Sequence, residues 1–139
     1  MTDDTSTVRT ASGVKAVLRL MRSDKSIVLE VTAVSSEATR EFDSVYERAL
    51  ERYLEASVRN GIRYAGTPPL SGAHVVLAEI CVIAPVAMQS IGREVRSVGG
   101  TGSEWTTRWV WDLSGIESID GELVVQTHVD EIKLPLSRP

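Results

Sequence analysis

Residues 36–61 read SEATREFDSVYERALERYLEASVRNG, and this stretch decides the fold. Phe42, Val45, Tyr46, Ala49, Leu50, Tyr53, Leu54 and Val58 recur every three or four positions, the spacing that places side chains on one face of an α-helix. Ser35 or Ser36 can open the helix, because a short hydroxyl accepts from the unpaired backbone N–H groups of a first turn. Asn60-Gly61 closes it, since glycine readily takes the left-handed conformation that ends many helices. Glu37, Glu41, Asp43 and Glu47 stand early and Arg48, Arg52 and Arg59 stand late, which suits the helix dipole. At 1.5 Å per residue such a rod is about 36 Å long, enough to cover a whole sheet face.

The flanking sequence supplies strands for it to cover. Before the helix, Val14, Ala16, Leu18 and Leu20 alternate with Lys15, Val17, Arg19 and Met21, and Ile27, Leu29, Val31 and Ala33 alternate with Val28, Glu30, Thr32 and Val34. A period of two with β-branched residues predicts two strands, joined by a turn at Arg22-Ser23-Asp24-Lys25. After the helix, residues 62–72 form a loop stiffened by Pro68-Pro69. His74 to Ala84 is apolar on both faces and predicts a central strand. Further strands are expected at Ile91–Val98, Trp105–Leu113 and Leu123–Leu134, with Asp120-Gly121 as a hairpin signal.

The expected order is ββ-α-ββββ, an α+β fold in which an antiparallel sheet of five to six strands packs on one long amphipathic helix as a two-layer cup. Hot-dog and cystatin-like cups both satisfy that layout, and no motif selects one. Residues 1–12, MTDDTSTVRTAS, read as a disordered polar arm ahead of a single domain over 13–139.

Composition narrows the function classes. The 139 residues carry a net charge of −4, and residues 101–139, with three bases and seven acids, account for all of it. That balance argues against a nucleic-acid or anionic-membrane partner. The longest apolar run, Val75 to Met88, is broken by Glu79 and Pro85 and is shorter than the ~20 residues of a spanning helix. One cysteine, Cys81, excludes an internal disulfide, and with no secretory run at the N-terminus the expected compartment is the cytoplasm. Cys81 lies in an apolar run and reads as an inert core residue.

Three features carry potential chemistry. Glu79 is the sole charged residue between Arg63 and Arg93. A carboxylate in apolar surroundings must find a partner, reach water or take up a proton. The bland reading pairs it with Arg19 or Arg108 across the sheet; the sharp one makes it a general acid or base. Gln126, His128 and Asp130 share one face of the last expected strand, so His128 and Asp130 are candidates to assist Glu79. They lack the third and fourth partners of a metal site. Trp105, Trp109 and Trp111 share one strand face and hold three of the seven aromatics, with Arg108 on the other face. That face is either core or an exposed platform for a ligand or partner. The run Gly99-Gly100-Thr101-Gly102 lacks the Lys-Ser/Thr and helix start of a phosphate loop, and Asp112–Leu123 lacks the last carboxylate of a calcium loop. No metal or cofactor is implied.

Catalytic residue types are scarce, while edge strands and indoles are plentiful. The first expectation is therefore a non-enzymatic binding or assembly module, self-associating or binding a protein through the tryptophan strand or the Ile91–Val98 edge. The second is a small-ligand enzyme that holds an apolar or acyl substrate, with Glu79 as acid or base and His128 and Asp130 assisting.

Overall fold

Alternation builds the first sheet. In the computed structural model, which describes residues 2–86, 88, 97–99, 105–113 and 119–136, strands β1 (Thr2–Arg9), β2 (Lys15–Arg22) and β3 (Ser26–Ala33) form an antiparallel meander. Ala16, Leu18 and Leu20 of β2 and Ile27, Leu29, Val31 and Ala33 of β3 are buried, so each strand buries every second residue, as the period of two requires. Strand β6 (Thr106–Asp112) pairs antiparallel with β3, and β5 (Ser97–Gly99) pairs with β6, giving the order β1-β2-β3-β6-β5. A second antiparallel sheet has the order β4 (Cys81–Ile83), β7 (Glu122–Gln126), β8 (Glu131–Pro135).

The helix α1 runs from Glu37 to Asn60, 24 residues, as the sequence predicts. Ser36 and Thr39 form a capping box: the Thr39 amide donates to Ser36 Oγ (3.3 Å) and the Ser36 amide donates to Thr39 Oγ1 (2.9 Å). A 3-10 turn follows at Ile62–Tyr64, and a short helix α2 spans Gly72–Leu77.

The fold is α+β with antiparallel strands and one long helix, but the strands divide into two sheets and the helix does not cover the larger one. One continuous core joins the inner face of the first sheet to Ala73, Val76, Leu77 and Ile80 around α2 and to Leu123, Val125, Leu134 and Leu136 of the second sheet. The β7–β8 hairpin and α2 thus fill the place expected for α1. Along α1 only Thr39 and Asp43 are buried, and Ala38 and Phe42 lean on the core. The helix is held at its first two turns. The Trp105 indole N–H donates to Asp43 Oδ1 (3.0 Å), and the Phe42 ring meets Trp105 edge to face, centroids 6.1 Å apart. Among the described elements it packs chiefly against α2 and the 3-10 turn.

Four further expectations are corrected. Thr2–Arg9 is not a disordered arm but β1, paired along its whole length with β2 and burying Val8. Backbone pairing holds a strand whose side chains are nearly all polar. Residues 74–84 are not one strand: Ser71 caps α2 by accepting from the His74 amide (3.2 Å), and only Cys81–Ile83 is extended. Leu123–Leu134 is likewise two strands, with a turn at residues 127–130 in which the Thr127 amide donates to the Asp130 carbonyl (2.9 Å). Asp120-Gly121 closes no hairpin, since β6 and β7 belong to different sheets. Of the expected Ile91–Val98 edge, residues 91–96 lie outside the described residues, as do residues 100–102 of the glycine run and 114–118 of the calcium-loop mimic.

Candidate functional site

Glu79 lies between α2 and β4 with its side chain one-tenth exposed. It is not held by Arg108, which instead donates to Glu30 on the neighbouring strand (2.6 Å). The carboxylate is satisfied by backbone. The Ala11 amide, in the β1–β2 turn, donates to both carboxylate oxygens (3.1 and 2.9 Å), and the His128 amide, in the β7–β8 turn, donates to Oε2 (3.0 Å). Amide donors to a carboxylate are charge-assisted and stronger than neutral pairs, which is how a nearly buried charge is tolerated here.

Of the three residues singled out for acid–base work, Glu79 and His128 stand together, though not on a strand face. His128 Nδ1 stands 3.8 Å from Glu79 Oε1, with the His128 side chain three-quarters exposed. Asp130 turns away from His128 toward β1, where it accepts from the Arg9 amide (2.9 Å) and from Arg9 Nε (3.3 Å). Thr127 Oγ1 donates to the Arg9 carbonyl (2.6 Å) and accepts from the amides of Val129 (3.3 Å) and Asp130 (3.0 Å). This polar corner therefore ties the turn of one sheet to the turn of the other. Among the described residues, no group of three or more His, Cys, Asp or Glu side chains is placed to hold a metal ion.

The Arg9 amide first, and then the Arg9 side chain, hold the Asp130 carboxyl below the ordinary carboxylate range. A lowered folded value contributes stability above the unfolded value, and that stability is lost as pH falls through the folded one. Asp130→Asn is therefore expected to lower the urea midpoint at neutral pH. Its deficit relative to wild type should shrink as the pH falls below the ordinary aspartate range, where the unfolded chain takes up the proton first, and vanish once the pH passes the lowered folded value. Parallel urea midpoints from neutral to acid pH would contradict this.

The tryptophans form no platform. Trp105, Trp109 and Trp111 are 1%, 3% and 4% exposed, and Thr107 between them is fully buried. Arg108 points outward into its Glu30 pair. Cys81, expected in the core, is exposed on the short strand β4.

The apolar surface that is exposed lies elsewhere. Val45, Leu54 and Val58 of α1 are 50%, 52% and 87% exposed, and Ile62, Tyr64 and Leu70 just beyond the helix are exposed as well. Leu54 and Val58, with Glu55 and Arg59, line a shallow concavity there. No helix among the described residues is long and apolar enough to cross a membrane. Comparison with protein-family models, with curated proteins and with solved structures found no match.

Proposed function

We propose that this protein is a non-enzymatic assembly module that associates with further copies of itself through the free length of α1. The observation that carries the reading is the mismatch between the helix and its anchorage. The apolar stripe continues to Val58, yet no residue of α1 past Asp43 is buried. Isolated helices gain little from propensity alone, and most helical stability comes from packing an apolar face. A cluster of large exposed side chains at one end of a molecule marks an interaction surface more often than scattered ones do.

A second copy is the occupant the charges favour. In the first half of α1 Glu37, Glu41, Asp43 and Glu47 outnumber Arg40 and Arg48, while in the second half Glu51 and Glu55 balance Arg52 and Arg59, with Arg63 just beyond. An antiparallel copy keeps the two acidic first halves apart, sets each toward the partner's Arg59 and Arg63, and opposes the two helix dipoles. The enzyme reading has less support, because the Glu79 oxygens are already taken up by backbone donors.

Sedimentation velocity tests the proposal. Wild-type protein is expected to sediment as a dimer or larger at micromolar concentration. Leu54→Glu/Val58→Glu is expected to sediment as a monomer with unchanged helix content by circular dichroism, since both positions are exposed within the protomer. A wild-type monomer at high micromolar concentration overturns the reading, as does a double variant that associates like wild type.

A further inference from the structure

We infer that the second copy crosses α1 over its last turns rather than lying along it, about a two-fold between Leu54 and Val58 that closes the assembly at two; this rests on self-association through α1. Tyr46, Leu50, Leu54 and Val58 stand four residues apart and form one inclined ridge on the helix. Exposure rises along that ridge: Tyr46 and Leu50 are partly covered, Leu54 is half exposed and Val58 almost wholly so. Just past the helix, Ile62 and Tyr64 are exposed as well. The uncovered apolar surface therefore gathers at the C-terminal end of α1. Val45 is also exposed, but nine residues at about 100° each put it on the opposite side of the helix from Leu54, so one partner helix does not cover both.

Ridges of residues four apart fit into one another's grooves when two helix axes cross at about 50°. Two copies packed in this way touch at the crossing and diverge on either side of it. A parallel copy would set Glu47, Glu51 and Glu55 beside their own equivalents, like charge against like. In the antiparallel arrangement the two-fold faces each Leu54 on the partner's Val58. It also brings Glu51 to within two residues, about 3 Å, of level with the partner's Arg59. The acid-rich first halves of the two helices point away from each other. The same patch serves both copies, so the contact is self-complementary and is used up once two chains have met.

Crosslinking from single cysteines in the full chain tests the crossing. Cys81, exposed and the chain's one cysteine, is first removed as Cys81→Ser. Val58→Cys and Glu47→Cys are then made separately in that background and treated at micromolar concentration with a short bismaleimide. Both positions are exposed, and eleven residues apart they lie within about 20° on one face of α1. At the crossing the two Val58 positions stand about 6 Å apart along the axis and the two Glu47 positions about 27 Å apart. Val58→Cys is therefore expected to form the covalent dimer about tenfold or more faster than Glu47→Cys, and wild-type association is expected to stop at two chains. Pairing along the whole helix, centred on its middle, reverses the order, with the Val58 positions about 28 Å apart and the Glu47 positions about 5 Å apart. A parallel pair links at both. Either result overturns the crossing and leaves self-association standing, as does linkage at neither position in a protein that sediments as a dimer, or wild-type association that continues past two. A wild-type monomer removes self-association itself, and the crossing with it.

Discussion

Trp105→Ala is expected to lower the stability of the protein by about 3–5 kcal/mol, the range for removing a fully buried tryptophan, and so to bring the urea midpoint down sharply. The indole is 1% exposed and does three separate things. Its area fills the core beneath α2; its N–H donates to Asp43, the buried acid of α1; and it meets the Phe42 ring in a T-shaped contact. Trp105→Phe keeps an apolar ring and loses the N–H, so it should cost less, nearer the 1.5–3 kcal/mol of a hydrogen bond to a charged group. Because these contacts fasten the helix where it meets the core, Trp105→Ala should also loosen α1, seen as faster exchange of its second-turn amides, Glu41 to Ser44, relative to those of β2. A loss under about 1 kcal/mol would mean that the helix is secured elsewhere.

What the sequence made legible follows from which forces act locally. The strands β2, β3 and β6 are readable because one face of each lies on the core, so burial imprints a period of two directly on the residues. The ends of α1 are readable because caps are chemical: Ser36 with Thr39, and Gly61 at φ 84°. The strand β1 is hidden because its stability comes from backbone pairing with β2, to which polar side chains give no clue beyond inward Val8. The α2 segment misled for the opposite reason. Continuous apolar character reads as a two-faced strand, whereas Ala73, Val76 and Leu77 are one buried helical face announced by the Ser71 cap. The amphipathic stripe of α1 marks which face of the helix is apolar and is silent about what packs on it.

The candidate site divides along the same line. That a lone carboxylate at position 79 must be satisfied follows from desolvation alone. Its satisfiers, two backbone amides from turns 68 and 49 residues away, carry no side-chain signature, so sequence reasoning turned to arginines instead. The shared face of Gln126, His128 and Asp130 rests on a single strand that the turn at 127–130 breaks, and no sequence pattern links Glu79 to them. A better signal was Thr127 followed three residues on by Asp130, the side-chain-to-backbone pattern that closes a turn.

Gly72→Ala should be the most damaging single-methyl addition at this joint. A Cβ built there meets Phe42 Cβ and Trp105 Cζ2 at 2.8 Å and Trp105 Cη2 at 3.1 Å, far inside the 3.5–4.0 Å at which carbons pack. Alanine in place of glycine favours a helix by up to about 1 kcal/mol, but overpacking a filled core costs about 1–3 kcal/mol, and here one obstructing atom is attached directly to the α1 backbone. The methyl therefore pushes α2 and α1 apart, and net destabilisation is expected despite the better helix former. The cause can be isolated. Trp105→Phe removes the six-membered part of the indole that carries Cζ2 and Cη2, so Gly72→Ala should cost less in the Trp105→Phe background than in wild type. Measured as a double-mutant cycle by urea unfolding, the coupling should exceed about 0.5 kcal/mol. Strict additivity would mean that the clash at Phe42 decides the site, and a stabilised Gly72→Ala would mean that α1 and α2 can part at this joint without cost to the core.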